Sequence, residues 1–292
     1  MRITDGLRYQ SVQRNLTRIQ KDAAEASQQA STGQRLGQPS DDPIAAAELS
    51  RVRASLNTAA AQRDAIAMVR GDAELAESTL SQVGELMKRL RELAMQGANG
   101  SLSAEDRDAL ATETRGIKTE VLRLANTRGT RGYLFAGART DSPAFDAAGA
   151  FQGDDSTQLV DIGATTPTAV SASGAQAFTA AGGRDVFADL DALANALDAN
   201  DPAATAQSLD ALDASERQVL KERARIGLVV DKLDTSNGVL EQLDTDLQKR
   251  GDALGTADAF EAYSRMTVLS QSLERAVAVS RQMLESASYW NR

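Results

Sequence analysis

Gly33-Gln34-Arg35-Leu36-Gly37-Gln38-Pro39-Ser40-Asp41-Asp42-Pro43 is the stretch on which the fold turns. Gly33 and Gly37 permit the backbone angles that end a helix. Pro39 cannot continue a helix and pushes Gln38 toward an extended conformation. Asp42 has the side chain of an N-cap, and Pro43 is pre-set for the first helical position. Asp41 adds negative charge near the positive end of the new helix dipole. The segment predicts that one helix stops and a second starts.

Upstream, Val12, Leu16, Ile19, Ala23, Ala26 and Ala30 follow 4-3-4-3-4 spacing, one stripe on a helix. Downstream, Val52, Ala59, Ile66, Ala73, Leu80, Met87 and Ala94 recur every seven residues, with Val69, Ala76, Val83 and Leu90 three further on. This is a heptad seam. It ends near Gly97-Ala98-Asn99-Gly100, and Ser103 with Asp106 marks the start of another helix, roughly 104 to 127.

The C-terminal part mirrors this. Asp201-Pro202 repeats the cap-plus-proline start. Val219, Ile226, Leu233, Leu240, Leu247 and Leu254 hold one heptad position, Val229, Val230 and Leu243 supply partners, and Asn237 sits in or beside the seam. Gly251 and Gly255 interrupt it. A last amphipathic segment carries Phe260, Tyr263, Met266, Leu269, Leu273, Val277 and Leu284.

A single striped helix cannot bury its stripe alone. Two seams near opposite chain ends can bury each other as an antiparallel coiled coil, ~65 Å long at 1.5 Å per residue. The expected fold is mainly α: a long antiparallel coiled-coil rod built from N- and C-terminal arms. A small β-rich unit is inserted in the middle. The rod takes 41–131 and 184–255 and the β-rich unit 132–183. Terminal segments 1–40 and 256–292 are expected to be mobile in the monomer and to order on association. Tyr133-Leu134-Phe135 and Leu159-Val160-Asp161-Ile162 are the strand candidates. Tyr133, Phe135, Phe145 and Phe151 read either as a ligand site or as the core of that unit, and a small core is the commoner use.

Composition narrows the function. Net charge is -9 and the isoelectric point about 4.8, which argues against nucleic acid and anionic membrane surfaces as partners. No run approaches ~20 consecutive apolar residues. Met1-Arg2-Ile3-Thr4-Asp5-Gly6 lacks the apolar core of a signal peptide, so any export is expected by another route. Cysteine and histidine are both absent, removing thiolate chemistry and the commonest general base and metal ligand. No nucleophile–base pair or phosphate loop is visible. The chain reads as a non-enzyme without metal or cofactor.

Individual residues admit two readings. Asp41 and Asp42 are a carboxylate pair for acid–base or metal chemistry, or they cap a helix; Pro43 favours capping. Asp154-Asp155 with Asp161 suit a hard cation or serve as turn residues, and the spacing favours turns. Arg35 contacts Asp41, Asp42 or a neighbouring subunit, or is a solvated helix-end cation. Asn237 selects register or faces solvent. Tyr289 and Trp290 expose apolar area unless covered, so they read with Leu269, Leu273 and Leu284 as a subunit or chaperone contact.

The arrangement resembles the bacterial flagellin superfamily. Ser31-Thr32-Gly33-Gln34-Arg35-Leu36, then Pro39-Ser40-Asp41-Asp42-Pro43, is similar to its serine-glycine-basic-basic turn and proline-serine-double-aspartate-proline turn, with Gln34 where lysine is usual. Met1-Arg2-Ile3-Thr4 also fits. Leu124-Ala125-Asn126-Thr127, Gly132-Tyr133-Leu134-Phe135-Ala136-Gly137, Pro143-Ala144-Phe145 and Phe151-Gln152-Gly153-Asp154 resemble the hook–filament junction branch more than flagellin. Arg184-Asp185-Val186-Phe187 and Arg223-Ala224-Arg225-Ile226-Gly227 complete that pattern. The ending Ser288-Tyr289-Trp290-Asn291-Arg292 departs from the family's serine-leucine-phenylalanine type run.

The resemblance implies a structural role with no catalytic, cofactor or metal residues. It implies secretion through the flagellar type III pathway and a ring of copies at the hook–filament junction. Hook-associated protein 1 would lie on the hook side and flagellin on the filament side, with an export chaperone in the cytoplasm. Gly33, Arg35, Pro39, Asp41, Asp42 and Pro43 would form a structural hinge, with the terminal helices lining the inner tube and the middle unit facing outward. A short flagellin that forms the filament itself is the nearest alternative. A coiled-coil binding module or export chaperone is the alternative from another class.

Overall fold

A computed structural model describes the backbone of residues 2–161 and 167–289, and the side chains of 10–161 and 167–282. The protein is mainly α-helical. In chain order the elements are α1 (Arg2–Thr32), α2 (Pro43–Gly97), α3 (Ala104–Ala125), β1 (Arg128–Gly129), β2 (Gly132–Tyr133), β3 (Leu159–Val160) and β4 (Thr168–Ala169). Then follow α4 (Gly174–Phe178), a 3-10 turn at Ala180–Gly182, α5 (Val186–Asp198), α6 (Pro202–Gly255) and α7 (Ala259–Tyr289). The chain divides into two compact units, 1–59 with 242–292 and 60–241.

In the larger unit, α2 and α6 run antiparallel. The ion pairs ascend one helix as they descend the other: Arg63–Glu241 at 3.5 Å, Arg70–Asp234 at 2.8 Å, Glu77–Arg223 at 2.7 Å and Arg91–Asp213 at 3.1 Å. These pairs are largely exposed, so they set register more than stability. The heptad residues Ile66, Ala73, Leu80, Met87 and Ala94 are buried, as are Val219, Ile226, Leu233 and Leu240 across from them. Asn237 is half-buried and its Nδ2 donates to Glu241 Oε1 at 2.8 Å. It therefore faces a surface carboxylate beside the seam.

Helix α3 starts at the expected cap, with Ser103 Oγ accepting the Asp106 N–H at 3.1 Å. It packs on α5, whose Val186, Phe187, Leu190, Leu193 and Leu197 are buried at helical spacing. Asp185 caps α5 through the Ala188 N–H at 3.0 Å. Lys118 reaches Asp191 at 2.6 Å across the α3–α5 pair.

The segment between α3 and α5 has little strand. β1 pairs antiparallel with β2 (Arg128 opposite Tyr133) and β3 with β4 (Leu159 opposite Ala169), two residues each. The expected strand at 133–135 stops at Tyr133. The Tyr133 N–H binds the Thr140 carbonyl and the Leu134 N–H the Thr127 carbonyl, and Phe135 turns inward to full burial. Ile162, the end of the other strand candidate, lies outside the described residues.

The core here is a ring cluster. Phe145 lies 5.2 Å from Phe151, 5.5 Å from Phe178 and 5.2 Å from Phe187, and Phe135 meets Phe178 edge-to-face at 5.6 Å. Of the aromatics weighed in the sequence, Phe135 and Phe145 are core. Tyr133 is half-buried, its ring 5.1 Å from the Arg128 guanidinium.

Buried polar side chains of α6 fasten this segment. Gln218 accepts the Arg184 N–H at 2.8 Å and donates toward the carbonyls of Ala177, Thr179 and Arg184. Glu222 accepts the Ser173 N–H at 2.8 Å and pairs with Arg225. That hydrogen bond to Glu222 raises the Arg225 guanidinium, against partial burial. Asp72 on α2 accepts the Thr130 N–H at 2.8 Å and Arg131 Nε at 2.9 Å.

In the smaller unit, α1 and α7 lie against each other. The α1 stripe is half-buried at Val12, Leu16, Ile19, Ala23 and Ala30, and Ala26 is fully covered. On α7 the covered face runs through Ala262, Met266, Leu269, Leu273 and Val277. Phe260 and Tyr263, expected on that face, are 85% and 56% exposed. At ~100° per residue Phe260 sits almost opposite Ala262, so it cannot share its face. Leu243, expected as a seam partner, is 43% exposed.

Candidate functional site: the joint between the terminal helices

α1 ends because Gly33 takes φ +68° while its N–H still binds the Gln29 carbonyl at 2.9 Å. The chain then meets the C-terminal end of α6. Gln34 and Thr256 form an antiparallel bridge. The Arg35 N–H donates to the Gly255 carbonyl at 2.7 Å, and the Ala257 N–H donates to the Gly33 carbonyl at 2.9 Å. Arg35 Nε adds a bond to the Leu254 carbonyl at 2.9 Å, capping α6 with a cation. The Arg35 carbonyl accepts Gln29 Nε2 at 3.0 Å. Two short breaks in two helices are thus closed by one another.

The rest of the segment organises α2. Asp41 Oδ2 accepts the N–H groups of Gly37 at 3.1 Å and Gln38 at 2.7 Å, folding the loop that contains Pro39. Asp42 Oδ1 accepts the Ala45 N–H at 3.0 Å, and Pro43 is the first residue of α2. Arg35 Nη1 lies 3.6 Å from Asp42 Oδ2, with both side chains about 40% exposed. Asp258 caps α7 through the Glu261 N–H at 3.0 Å. An open groove of ≈ 420 Å³ runs beside the joint, lined by Leu36, Leu49, Val52, Leu56 and Gly251 among others.

The carboxylates Asp41 and Asp42 thus serve backbone amides. Asp154 does the same with Ala138 at 2.9 Å, and Ser156 Oγ donates to it as well. The Ser156 hydroxyl, then the Ala138 amide, hold the Asp154 carboxyl below the usual carboxylate range. Asp155 accepts Ser173 Oγ at 2.6 Å. Among the described residues no cluster of three or more acidic groups is arranged to hold a metal ion.

Of the expected C-terminal contact residues, Leu269 and Leu273 are half-buried on the α7 face toward α1. The side chains of Leu284 and Tyr289, and all of Trp290, lie outside the described residues. Sequence reasoning placed a break at Gly251 and Gly255 but did not find that this end, Leu254 to Ala257, is the other half of the joint, because its partner lies 219 residues away.

Residues 4–140 match the bacterial flagellin N-terminal helical region. The N-terminal half of the joint, Gly33 to Pro43, lies inside that match, so this half is similar to the corresponding region of flagellins. Among full-length proteins the chain is similar to flagellar hook-associated protein 3. The chain is 35% identical to that protein of Salmonella typhimurium over 184 residues, covering 61% of this chain and 57% of the relative. It is 37% identical to that of Escherichia coli over 150 residues, 50% of this chain and 46% of the relative. The match spans about half the length of these curated relatives. A solved structure from Vibrio parahaemolyticus, described as a flagellar hook-associated protein, shares the fold with TM-score 0.68 and 24% identity, over 74% of this chain and 100% of that one.

Proposed function

We propose that this chain is a structural subunit of the bacterial flagellum, seated between hook and filament. The likeness to flagellar hook-associated protein 3 carries this reading. Copies of the chain form a ring, with hook-associated protein 1 on the hook side and flagellin on the filament side. A cytoplasmic export chaperone escorts the chain before secretion. Segments 1–40 and 256–292 line the inner tube, 41–131 with 184–255 form the rod and 132–183 faces outward. Gly33, Arg35, Pro39, Asp41, Asp42 and Pro43 are the hinge between the inner layer and the next. Leu269, Leu273, Leu284, Tyr289 and Trp290 contact a neighbouring subunit or the chaperone. The subunit has no catalytic role.

A physical observation supports it. Apart from Ala26 and Ala262, the stripes of α1 and α7 are only half-covered, which leaves apolar area for neighbours in a repeating, head-to-tail assembly. The test is electron microscopy of a strain lacking the gene. Hooks without filaments, with flagellin shed into the medium, are expected, and reintroducing the chain should restore filaments. Normal filaments in the deletion strain would overturn the proposal.

The match to a flagellin N-terminal region favours a second reading, a short flagellin. Purified chain that polymerises alone into long filaments would establish it over the junction role.

A further inference from the structure

The sequence holds two Asn-Gly dipeptides, Asn99-Gly100 and Asn237-Gly238, in opposite backbone settings. We propose that Asn99 is a site of spontaneous deamidation, activated by Ser101, while Asn237 is protected. Asn99 lies exposed in the turn between α2 and α3. Its Oδ1 accepts the Ser101 N–H at 3.1 Å and Ser101 Oγ at 2.9 Å. This folds the side-chain amide back toward the Gly100 peptide, and apart from Asn99 and Ser101 themselves no described residue stands within 4 Å of a Cβ built on Gly100.

The reaction needs only water. The Gly100 amide nitrogen gives up its proton to hydroxide and attacks Asn99 Cγ. A new N–Cγ bond forms, the Cγ–Nδ2 bond breaks, and Nδ2 takes a proton from water and leaves as ammonia, regenerating hydroxide. Water then opens either carbonyl of the cyclic imide, giving aspartate or isoaspartate. Negative charge develops on Oδ1 in the addition step, where the two Ser101 donors already point.

Asn237 lies inside α6. There side chains lean toward the helix N-terminus, away from the following amide, and that amide is held in the helical ladder. Its Nδ2 is also held by Glu241 at 2.8 Å. At Asn99 the modification matters structurally, because the Asn99 carbonyl accepts Arg107 Nη2 at 2.6 Å. Isoaspartate lengthens the main chain next to that acceptor.

The experiment incubates the intact chain in mildly alkaline buffer, with and without denaturing urea, and maps tryptic peptides by mass spectrometry with enzymatic isoaspartate assay. In native protein the peptide carrying Asn99 gains aspartate and isoaspartate while that carrying Asn237 stays amidated. In urea the two convert at similar rates. Equal native rates, or conversion of Asn237 alone, would overturn the proposal. Ser101→Ala should slow native conversion at Asn99 about tenfold, less than at a buried oxyanion hole. An unchanged rate in Ser101→Ala would remove Ser101 from the mechanism.

Discussion

Arg35 Nε donates to the carbonyl of Leu254 at 2.9 Å, so a residue three past the end of the first helix caps the end of the sixth. With the Gly33–Ala257 and Arg35–Gly255 backbone bonds it makes a three-point closure. Arg35→Ala should loosen it by about 1 kcal/mol, a value discounted because the side chain is partly exposed. Faster hydrogen exchange at the Ala257 amide is the expected reading. Lysine should restore little, lacking the planar fork. Unaltered exchange at Ala257 would mean that the backbone bridge alone holds the joint.

Arg107 is 3% exposed and spends its guanidinium on the carbonyls of Gly97, Leu102 and Asn99 and on Asn200 Oδ1. It closes the C-terminal end of α2, where carbonyls lack helical partners. Arg107→Met should cost about 3 kcal/mol, since several acceptors lose their donor at once. Urea unfolding monitored by circular dichroism reads this, and Arg107→Lys should recover only part of it.

Phe145 touches three other rings, and Asn126 holds its backbone from both sides, through its N–H and carbonyl at 2.9 Å each. Phe145→Ala should destabilise the ring cluster by about 3–5 kcal/mol. Near-ultraviolet dichroism should flatten while far-ultraviolet helix signal persists. Loss of both signals together would show that the cluster and the helices unfold as one.

Asp146 accepts the Ala150 and Ala148 N–H groups at 2.9 Å each and Gln152 Nε2 at 3.0 Å. The Ala150 amide contributes most to holding its carboxyl below the ordinary value of 3.8, and desolvation opposes it. The folded state thus favours the ionised form. The turn's contribution is complete above the unfolded-state value and is lost as pH falls through the lower folded-state value. Amide exchange at Ala150 should rise over that acidic window in the parent chain, and the change should shrink in Asp146→Asn. An identical acid response in both would assign the effect to other carboxylates.

The heptads were legible because a seven-residue repeat defines one stripe whichever helix covers it. Ile66 to Ala94 and Val219 to Leu240 are buried where that repeat puts them. Helix α5 was not assigned from the sequence, although Asp185 and the spacing from Val186 to Leu197 carry a helix signal. Phe260 and Tyr263 misled because α7 is apolar over more of its circumference than α1 can cover.

The break at Gly33–Pro43 shows the division most clearly. Sequence by itself determined that α1 ends, that Asp42 caps and that α2 begins at Pro43, because φ restrictions and capping act within four residues. Only the tertiary structure decided that Arg35 serves Leu254, that Gln34 pairs with Thr256 and that the phenylalanines converge on Phe145. Those choices depend on which distant backbone groups remain unpaired and which rings can exclude water together. Neither is written in any local window of the chain.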